Sequence, residues 1–327
     1  FFLEGANTFR FGIEGDDTSP VAKSIIPLFS RRMGRDSLNQ PIPINVGAKI
    51  TGQLNDWNVG MMYINDESGK SNNNYTVVRV SRNIGQQSSV GVIGTLGNAT
   101  GNEQNLVFGA DAKLSTSTFQ QNKTVSFYLF GLKSQTDKHT GDDVSWGAQF
   151  LYPNDLLKVR LGYHQIGKNF IAGMGFVPRV NIRESYGEIK IGPRPNKWGV
   201  MQLEFGGSVD YITNLETGKL ETRKFELQPV GIRFLSGEVI RYSVASQYEM
   251  LTSGFNIFGD FVIPAGKYEW WQQQIKLETK GARNLYGEAS YRFGDFYNGR
   301  RNDIKLNMNW KVAVPFFVGG TVSRNNV

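Results

Sequence analysis

The residues Ile304-Lys305-Leu306-Asn307-Met308-Asn309-Trp310-Lys311 alternate strictly between apolar and polar side chains. Successive side chains of a β-strand point to opposite faces, so this octapeptide separates its apolar residues from its polar ones. An α-helix would spread the same residues around its axis, because its period is 3.6 residues. The stretch therefore predicts a strand with one apolar and one polar face.

The same alternation recurs along the chain from residue 44 onward. Ile44, Val46, Ala48 and Ile50 alternate with Asn45, Gly47, Lys49 and Thr51, and Leu157, Val159, Leu161 and Tyr163 alternate with Lys158, Arg160 and His164. We predict strands at 44–53, 56–65, 74–83, 88–97, 104–114, 123–134, 143–152, 155–166, 183–192, 198–212, 219–235, 238–250, 268–279, 284–294, 300–312 and 316–324. Segment 123–134 fits least well because it is apolar on both faces, and Pro229 and Pro315 predict bulges or strand ends.

The connections between these strands alternate in length. The long ones are 66–73, 98–103, 135–142, 167–182, 213–218, 251–267 and 295–300, and the short ones are 54–55, 84–87, 153–154, 193–197, 236–237, 280–283 and 313–315, with 115–122 over-long for its place. Outer-membrane barrels have short periplasmic turns and long external loops, and their strands are longer than those of globular proteins. We therefore predict an all-β chain that forms a transmembrane antiparallel up-and-down β-barrel of about 16 or more strands in the cell outer membrane.

The composition excludes several other classes of protein. No stretch reaches the roughly 18 apolar residues that a spanning helix needs, and the absence of cysteine excludes disulfides and thiolate metal sites. We find no motif repeated at a fixed period, which argues against a propeller or a solenoid. The net charge of +7 comes from basic residues scattered among 29 acidic ones, so nucleic acid is not an expected partner. The expected partners are outer-membrane lipid and lipopolysaccharide.

Residues 1–43 differ from the rest of the chain. Within them, we predict an entry strand at residues 8–13 and, at residues 14–43, a long external loop or a plug in the lumen. Residues 44–327 form the predicted barrel. With the entry strand the count is odd, whereas bacterial single-chain barrels have even counts, so we expect further strands beyond this sequence.

Several short motifs resemble a known family of outer-membrane proteins. They are Phe1-Phe2-Leu3-Glu4-Gly5, Phe29-Ser30-Arg31-Arg32-Met33-Gly34, Pro41-Ile42-Pro43, Gly47-Ala48-Lys49-Ile50-Thr51-Gly52, Gly175-Phe176-Val177-Pro178-Arg179 and Phe293-Gly294-Asp295-Phe296-Tyr297-Asn298-Gly299. Their order is similar to that of the barrel region in proteins that carry a carbohydrate-binding family-nine-like domain in front of it. The resemblance implies an N-terminal periplasmic domain before this chain and further strands after it. It implies no settled function for the barrel and only a weak link to carbohydrate.

The polar face of the predicted strands provides the main candidate binding residues. If the apolar face contacts lipid, these side chains line the lumen as a wet solute path or as an ion-paired filling. The candidates are Lys158, Arg160, His164, Glu188, Lys190, Glu204, Arg241, Lys276, Glu288, Arg292 and Lys305, accompanied on the same face by Asp210, Glu249, Glu278 and Lys311. The alternatives of an open lumen and a filled one both stay open at this point.

Three further candidates come from loops and aromatic residues. Arg31, Arg32 and Arg35 belong either to a constriction across the lumen or to a solvated external loop. His139 near Asp142 and Asp143, together with His164, is the only constellation suited to acid–base chemistry, and loop residues of these types are more often solvating. We therefore predict no catalytic site, metal site or cofactor. Trp57, Trp146, Trp198, Trp270, Trp271, Trp310, Tyr152 and Tyr163 predict interfacial girdles, with the pair Trp270-Trp271 as an alternative sugar platform.

These predictions favour a channel or uptake barrel for small polar solutes such as glycans or peptides. The first alternative is a non-conducting scaffold subunit that binds other outer-membrane proteins in a complex. The second is a hydrolase with its active site at the barrel rim, which the shortage of histidine disfavours.

Overall fold

The computed structural model describes residues 5–13, 25–35, 40–67, 73–99, 101, 103–137, 139–258, 261–279 and 283–327. Its regular structure is almost entirely β, with short 3₁₀ turns at Ala6–Phe9 and Ser30–Arg32. The strands are β1 (Ile44–Leu54), β2 (Trp57–Asp66), β3 (Asn73–Ile84), β4 (Ser88–Leu96), β5 (Asn105–Phe119), β6 (Lys123–Thr136), β7 (Val144–Pro153), β8 (Leu157–Ile166), β9 (Ile182–Ile191), β10 (Val200–Leu203), β11 (Phe205–Asn214), β12 (Leu220–Phe234), β13 (Val239–Leu251), β14 (Phe255–Phe258), β15 (Phe261–Ile263), β16 (Gly266–Glu278), β17 (Leu285–Phe296), β18 (Gly299–Lys311) and β19 (Phe317–Asn326).

Seventeen of these strands form one antiparallel sheet in which neighbours in the chain pair with each other. Strand β13 pairs with β16, because β14 and β15 form a separate two-stranded hairpin between them. Antiparallel pairing in chain order is the arrangement of an up-and-down β-barrel. The predicted all-β, up-and-down fold class is therefore confirmed.

The chain divides into two compact units. Unit 1 consists of Phe1–Leu151, Gly162–Arg183 and Asn214–Thr217, and unit 2 consists of Tyr152–Leu161, Glu184–Thr213 and Gly218–Val327. Unit 1 contains the N-terminal segments and β1 to β6. Unit 2 contains β10, β12, β13 and β16 to β19. The candidate residues of each unit are described separately below.

The strand pairing is irregular near Pro229 and Glu204 in unit 2. The register of β12 against β13 shifts between Leu227 and Val230, on either side of Pro229, which has no N–H to donate to a strand ladder. On the other side of β12, Glu204 separates β10 from β11 and donates its N–H to the Gly231 carbonyl at 2.8 Å. The predicted bulge at Pro229 is confirmed. Because β10 and β11 both pair with β12, they are two parts of one interrupted strand.

Other predictions about the strands and connections need correction. The expected entry strand at residues 8–13 is wrong, because Ala6–Phe9 is a 3₁₀ turn and no strand forms in residues 5–13. The β14–β15 hairpin lies inside the predicted loop 251–267 and was not expected. The predicted long connection at 295–300 shrinks to residues 297–298, because β17 and β18 extend farther than their apolar pattern does. The over-long turn at 115–122 shrinks in the same way to residues 120–122.

Strand β6, the segment with apolar residues on both faces, is apolar for two different reasons. Phe127 and Leu129 are 38% and 41% exposed on one face of the sheet. Tyr128 and Leu132 are 4% and 2% exposed on the other face, where the chain covers them. A strand that is covered on one side and apolar on the other cannot alternate in polarity, which explains why the period-two pattern fails there.

Candidate functional site

One face of the sheet is apolar and exposed in both units. In unit 1, Val90 and Val92 on β4 are 38% and 54% exposed, whereas Ile93, which points to the other face of the strand, is buried. In unit 2, Phe225 and Leu227 on β12 are 46% and 55% exposed. The apolar residues of β18 behave alike, with Ile304, Leu306, Met308 and Trp310 all exposed. Contiguous apolar surface larger than a few hundred Å² marks a site of contact with another apolar phase or partner.

Five of the six tryptophans are exposed, four of them on strands and Trp198 in the connection between β9 and β10. Trp57, Trp146, Trp198, Trp271 and Trp310 are exposed. Trp270, which was predicted to share the girdle, is only 4% exposed and packs against Phe296 and Tyr297 at ring distances of 6.2 and 4.6 Å. The adjacent pair Trp270-Trp271 therefore points to opposite faces of β16 and does not form a common stacking platform.

The opposite face of unit 2 carries a chain of ion pairs. The Glu204 carboxylate accepts from Arg233 Nη2 at 2.7 Å and from Arg241 Nε at 3.0 Å. Arg241 Nη1 also lies 2.8 Å from Glu278, which contacts Lys276 at 2.8 Å. Lys276 then reaches Glu288 at 3.4 Å. Glu204 lies between β10 and β11, and the other side chains come from β12, β13, β16 and β17. Together they balance three carboxylates with three cations.

A second ion cluster lies on β8 and β9, also within unit 2. Arg160 Nη2 donates to Glu188 Oε2 at 3.0 Å, and the ammonium group of Lys190 contacts the other oxygen of the same carboxylate. Lys158 lies two residues before Arg160 on β8 and is exposed. The sequence thus predicted three residues that the structure brings together, and one, Lys158, whose side chain lies in the open.

The remaining predicted strand residues occupy the polar face but stand apart from these clusters. Arg292 on β17 is half-buried opposite Gln274 and Asp303 in the strand register. Lys305 on β18 is exposed opposite Ser290 and Ser323. His164, in unit 1, is 1% exposed and therefore belongs to a packed interior.

In unit 1 the polar face holds a buried ion pair that the sequence did not single out. Arg79 on β3 donates from Nη1 to Asp111 Oδ1 at 2.6 Å and from Nη2 to Oδ2 at 2.9 Å. Their side chains are only 6% and 13% exposed. A two-bond contact between a guanidinium and a carboxylate fixes both groups, and low exposure makes each dependent on the other.

The segment 5–13 lies on this pair. The Gly12 N–H donates to Asp111 Oδ2 at 3.0 Å, and the Phe11 ring lies 5.3 Å from the Arg79 guanidinium carbon. Phe11 also makes an edge contact with Phe130 on β6 at 6.3 Å. These contacts hold the N-terminal segment against the buried face of the sheet in unit 1.

An apolar cluster extends the same contact. It consists of Phe9, Met33, Met62, Ile64, Tyr75, Val77 and Met174, with Leu28 and Ala99 packed around it. Phe9 and Met33 come from the N-terminal segments, and the others come from β2, β3 and the connection between β8 and β9. Gly60 on β2 leaves the space for this packing, since a Cβ there would lie 3.0 Å from the Phe9 ring and from Thr8. The described part of residues 1–43 therefore covers one face of unit 1.

Of the three arginines predicted in a constriction or a solvated loop, Arg32 lies beside the connection between β8 and β9. Ile26 and Phe176 exchange two backbone hydrogen bonds, and Phe29 N–H donates to Met174 O at 2.8 Å. Arg32 stacks over Phe176 at 5.5 Å, and burial lowers the pKa of its guanidinium. Arg31 is exposed, and Arg35 forms an isolated bridge with Pro41. Asp16, Asp17 and Asp36, in the same part of the sequence, lie outside the described residues.

The two histidines lie in different surroundings, since His164 is buried on β8 and His139 is in the loop after β6. His139 is exposed and forms an isolated bridge with Thr136. The Asp143 carboxylate lies 3.3 Å from Lys133 Nζ. Within the described ranges, no group of three or more histidine, cysteine and acidic side chains could hold a metal ion.

The pattern of the sequence contained the signal for Arg79 and Asp111. Period two places Arg79 on the same face as Tyr75 and Val77, and it places Asp111 on the same face as Val107. That face mixes charged with large apolar residues, so its sequence does not have the polar character of a lumen-lining face. The contribution of Phe9 and Phe11 had no such signal, because it depends on where residues 5–13 fold.

No family model matches the chain, and neither a curated protein nor a solved structure is significantly similar to it. Among the residues that the structure describes, no helix combines the length and the apolar character needed to cross a membrane.

Proposed function

We propose that the chain is the barrel region of an outer-membrane protein that passes or takes up small polar solutes. The observation that carries this proposal is the division of the sheet into an exposed apolar face and a charged, ion-paired face. An apolar face of this kind suits lipid acyl chains, and charged side chains within a membrane face water or one another.

The proposed transport mechanism depends on the polar face of the sheet, which is ion-paired in unit 2 and partly covered by the segment 5–13 in unit 1. The balanced ion pairs of unit 2 keep charged groups solvated or neutralised and present hydrogen-bonding groups to a solute. In unit 1 the segment 5–13 covers part of the polar face and acts as an internal plug. Transport then requires this segment to move, or it follows the polar surface that the segment leaves open.

A second candidate function is favoured by the plug itself. A segment fixed by the contacts to Asp111 and Arg79 and by the packing of Phe9 would keep the interior closed. In that case the chain is a non-conducting scaffold that binds other outer-membrane proteins. A rim hydrolase has no supporting constellation among the described residues. The link to carbohydrate stays a prediction from the family resemblance.

Planar-bilayer recording of the purified chain tests the first candidate against the second. The variant Gly60→Val places a side chain where Phe9 and Thr8 pack, so it should displace the segment and raise the conductance. Gly94→Val is the matched control, since a Cβ at Gly94 meets no atom within 4 Å. Ion current that increases in Gly60→Val alone supports the plugged channel. If neither the parent chain nor Gly60→Val passes ion current at any voltage, the result would favour the scaffold.

A further inference from the structure

A cavity of about 400 Å³ lies on the polar face of unit 1, between the N-terminal segment and strands β2 to β6. Its volume falls within the range of about 300–1,000 Å³ that is typical of small-molecule sites. The segment 5–13 forms one wall, and the sheet forms the other. The charged lining residues are Arg10, Arg79, Asp111 and Lys113, and Phe11 and Tyr128 provide rings.

The charge of this lining is unequal. Arg79 and Asp111 neutralise each other through their two short hydrogen bonds. Among the described lining residues, Arg10 and Lys113 are cationic in addition to that pair. The ion-pair chain of unit 2, by contrast, has equal numbers of carboxylates and cations. A cleft whose walls carry mainly one sign of charge concentrates ions of the opposite sign, so this lining attracts an anion.

Hydrogen-bonding groups surround these charges. Asn7, Asn58 and Asn83 offer amide donors and acceptors, and Ser81 and Ser89 offer hydroxyl groups. Arg79 Nε is buried, and it has no hydrogen-bond partner among the described residues. A buried donor of this kind is expected to have a partner in the functional state, and a ligand oxygen would serve. Tyr128 adds a ring below Lys113, whose Nζ lies 5.5 Å from the ring centre.

We infer that this cavity binds a small hydroxylated carboxylate of the size of a sugar acid. The carboxylate would be held by Arg10 and Lys113, and the hydroxyl groups would be held by the asparagine and serine side chains. This inference deepens the proposed function by naming a solute class. Binding at this cavity and conduction through the barrel are measured separately, so the binding site and the channel can each be refuted without the other.

Isothermal titration of the full chain in detergent with sodium glucuronate, glucose and inorganic phosphate tests the inference. We expect glucuronate to bind and glucose to bind at least about tenfold more weakly, because glucose lacks the charge-assisted hydrogen bonds. Lys113→Gln and Arg10→Gln should each weaken glucuronate binding by about tenfold. Lys197→Gln removes the same charge at an exposed position outside the cavity, between β9 and β10, and should leave the affinity unchanged.

Each other outcome overturns a stated part of the inference. Equal binding of glucose and glucuronate would show that the cavity does not select for charge. Equal binding of phosphate would show a general anion site without selection for hydroxyl groups. Absence of glucuronate binding in a chain that conducts ions would overturn the site and leave the proposed channel intact. Binding by a chain that never conducts would support the site and refute the channel.

Discussion

The exposed apolar face makes a quantitative prediction for a single charge placed on β4. Val92 is the central residue of Ser88–Leu96, and its side chain is 54% exposed. If this face contacts lipid, Val92→Arg puts a guanidinium near the middle of the hydrocarbon. Arg or Lys on the lipid face of a barrel costs about 2–4 kcal/mol at the midplane. At about 1.4 kcal/mol for each factor of ten, the folding equilibrium falls about 30- to 700-fold.

Leu96 at the end of the same strand provides the matched control. It is 47% exposed on the same face, and it lies four residues from Val92. With a rise of about 3.3 Å per residue and a tilt of about 45°, Leu96 lies about 9 Å closer to the interface. Leu96→Arg should therefore cost only about 0–1 kcal/mol.

Reversible unfolding in phospholipid vesicles by guanidinium chloride, followed by tryptophan fluorescence, measures both costs. The same variants at an exposed position of a soluble sheet would stay within about 0.5 kcal/mol of the parent. A cost of Val92→Arg below that limit, or equal costs at positions 92 and 96, would refute the reasoning from lipid contact.

The buried pair, the glycine contacts and the exposed turns make the remaining predictions. Arg79→Met should destabilise the fold by about 3–5 kcal/mol because it leaves Asp111 buried without its partner, and Arg79→Met/Asp111→Leu should recover most of that loss in denaturant titrations. Gly109→Ala should cost about 1–3 kcal/mol, since its Cβ would lie 2.1 Å from the Gly131 carbonyl oxygen, whereas Gly94→Ala should be neutral by the same titration. Hydrogen bonds from Arg194 hold the pKa of Asp155 below its usual value in the turn after β7, so the contribution of Asp155 to stability is present above its unfolded pKa and is lost as pH falls through the folded pKa. NMR titration of the carboxyl carbon should show this lowered pKa, and Arg194→Gln should return it toward the ordinary value; an unchanged pKa in that variant would contradict the assignment.

Most of the strands of the large sheet were predictable because the same physical constraint acts on them. A sheet with an apolar face repeats its polarity every two residues, and this repeat located strands such as β1, β4 and β18. Prolines located the irregularities, because a missing N–H has a local consequence at Pro229. The ends of β5 and β17 were missed, since the polar residues there can continue a ladder without an apolar repeat.

The candidate site was only partly predictable for a different reason. Residues such as Arg160 and Glu188 were found, because strand period alone places them on the polar face and opposite charges there tend to pair. The covering of unit 1 by Phe9 and Met33 depends on contacts between distant parts of the sequence. His164 shows the same limit, since period two predicted its face but not the packing that buries it.

The most direct test of the central claim is a site-directed spin-label scan along β12 in liposomes. The chain has no cysteine, so a single cysteine at Lys224, Phe225, Glu226 or Leu227 carries the only label. We predict that labels at Phe225 and Leu227 collide readily with dissolved oxygen, which concentrates in the bilayer, and rarely with a water-soluble nickel reagent. Labels at Lys224 and Glu226 should show the opposite preference. An alternation of reversed phase, or equal access to both reagents at all four positions, would contradict contact between the apolar face and lipid.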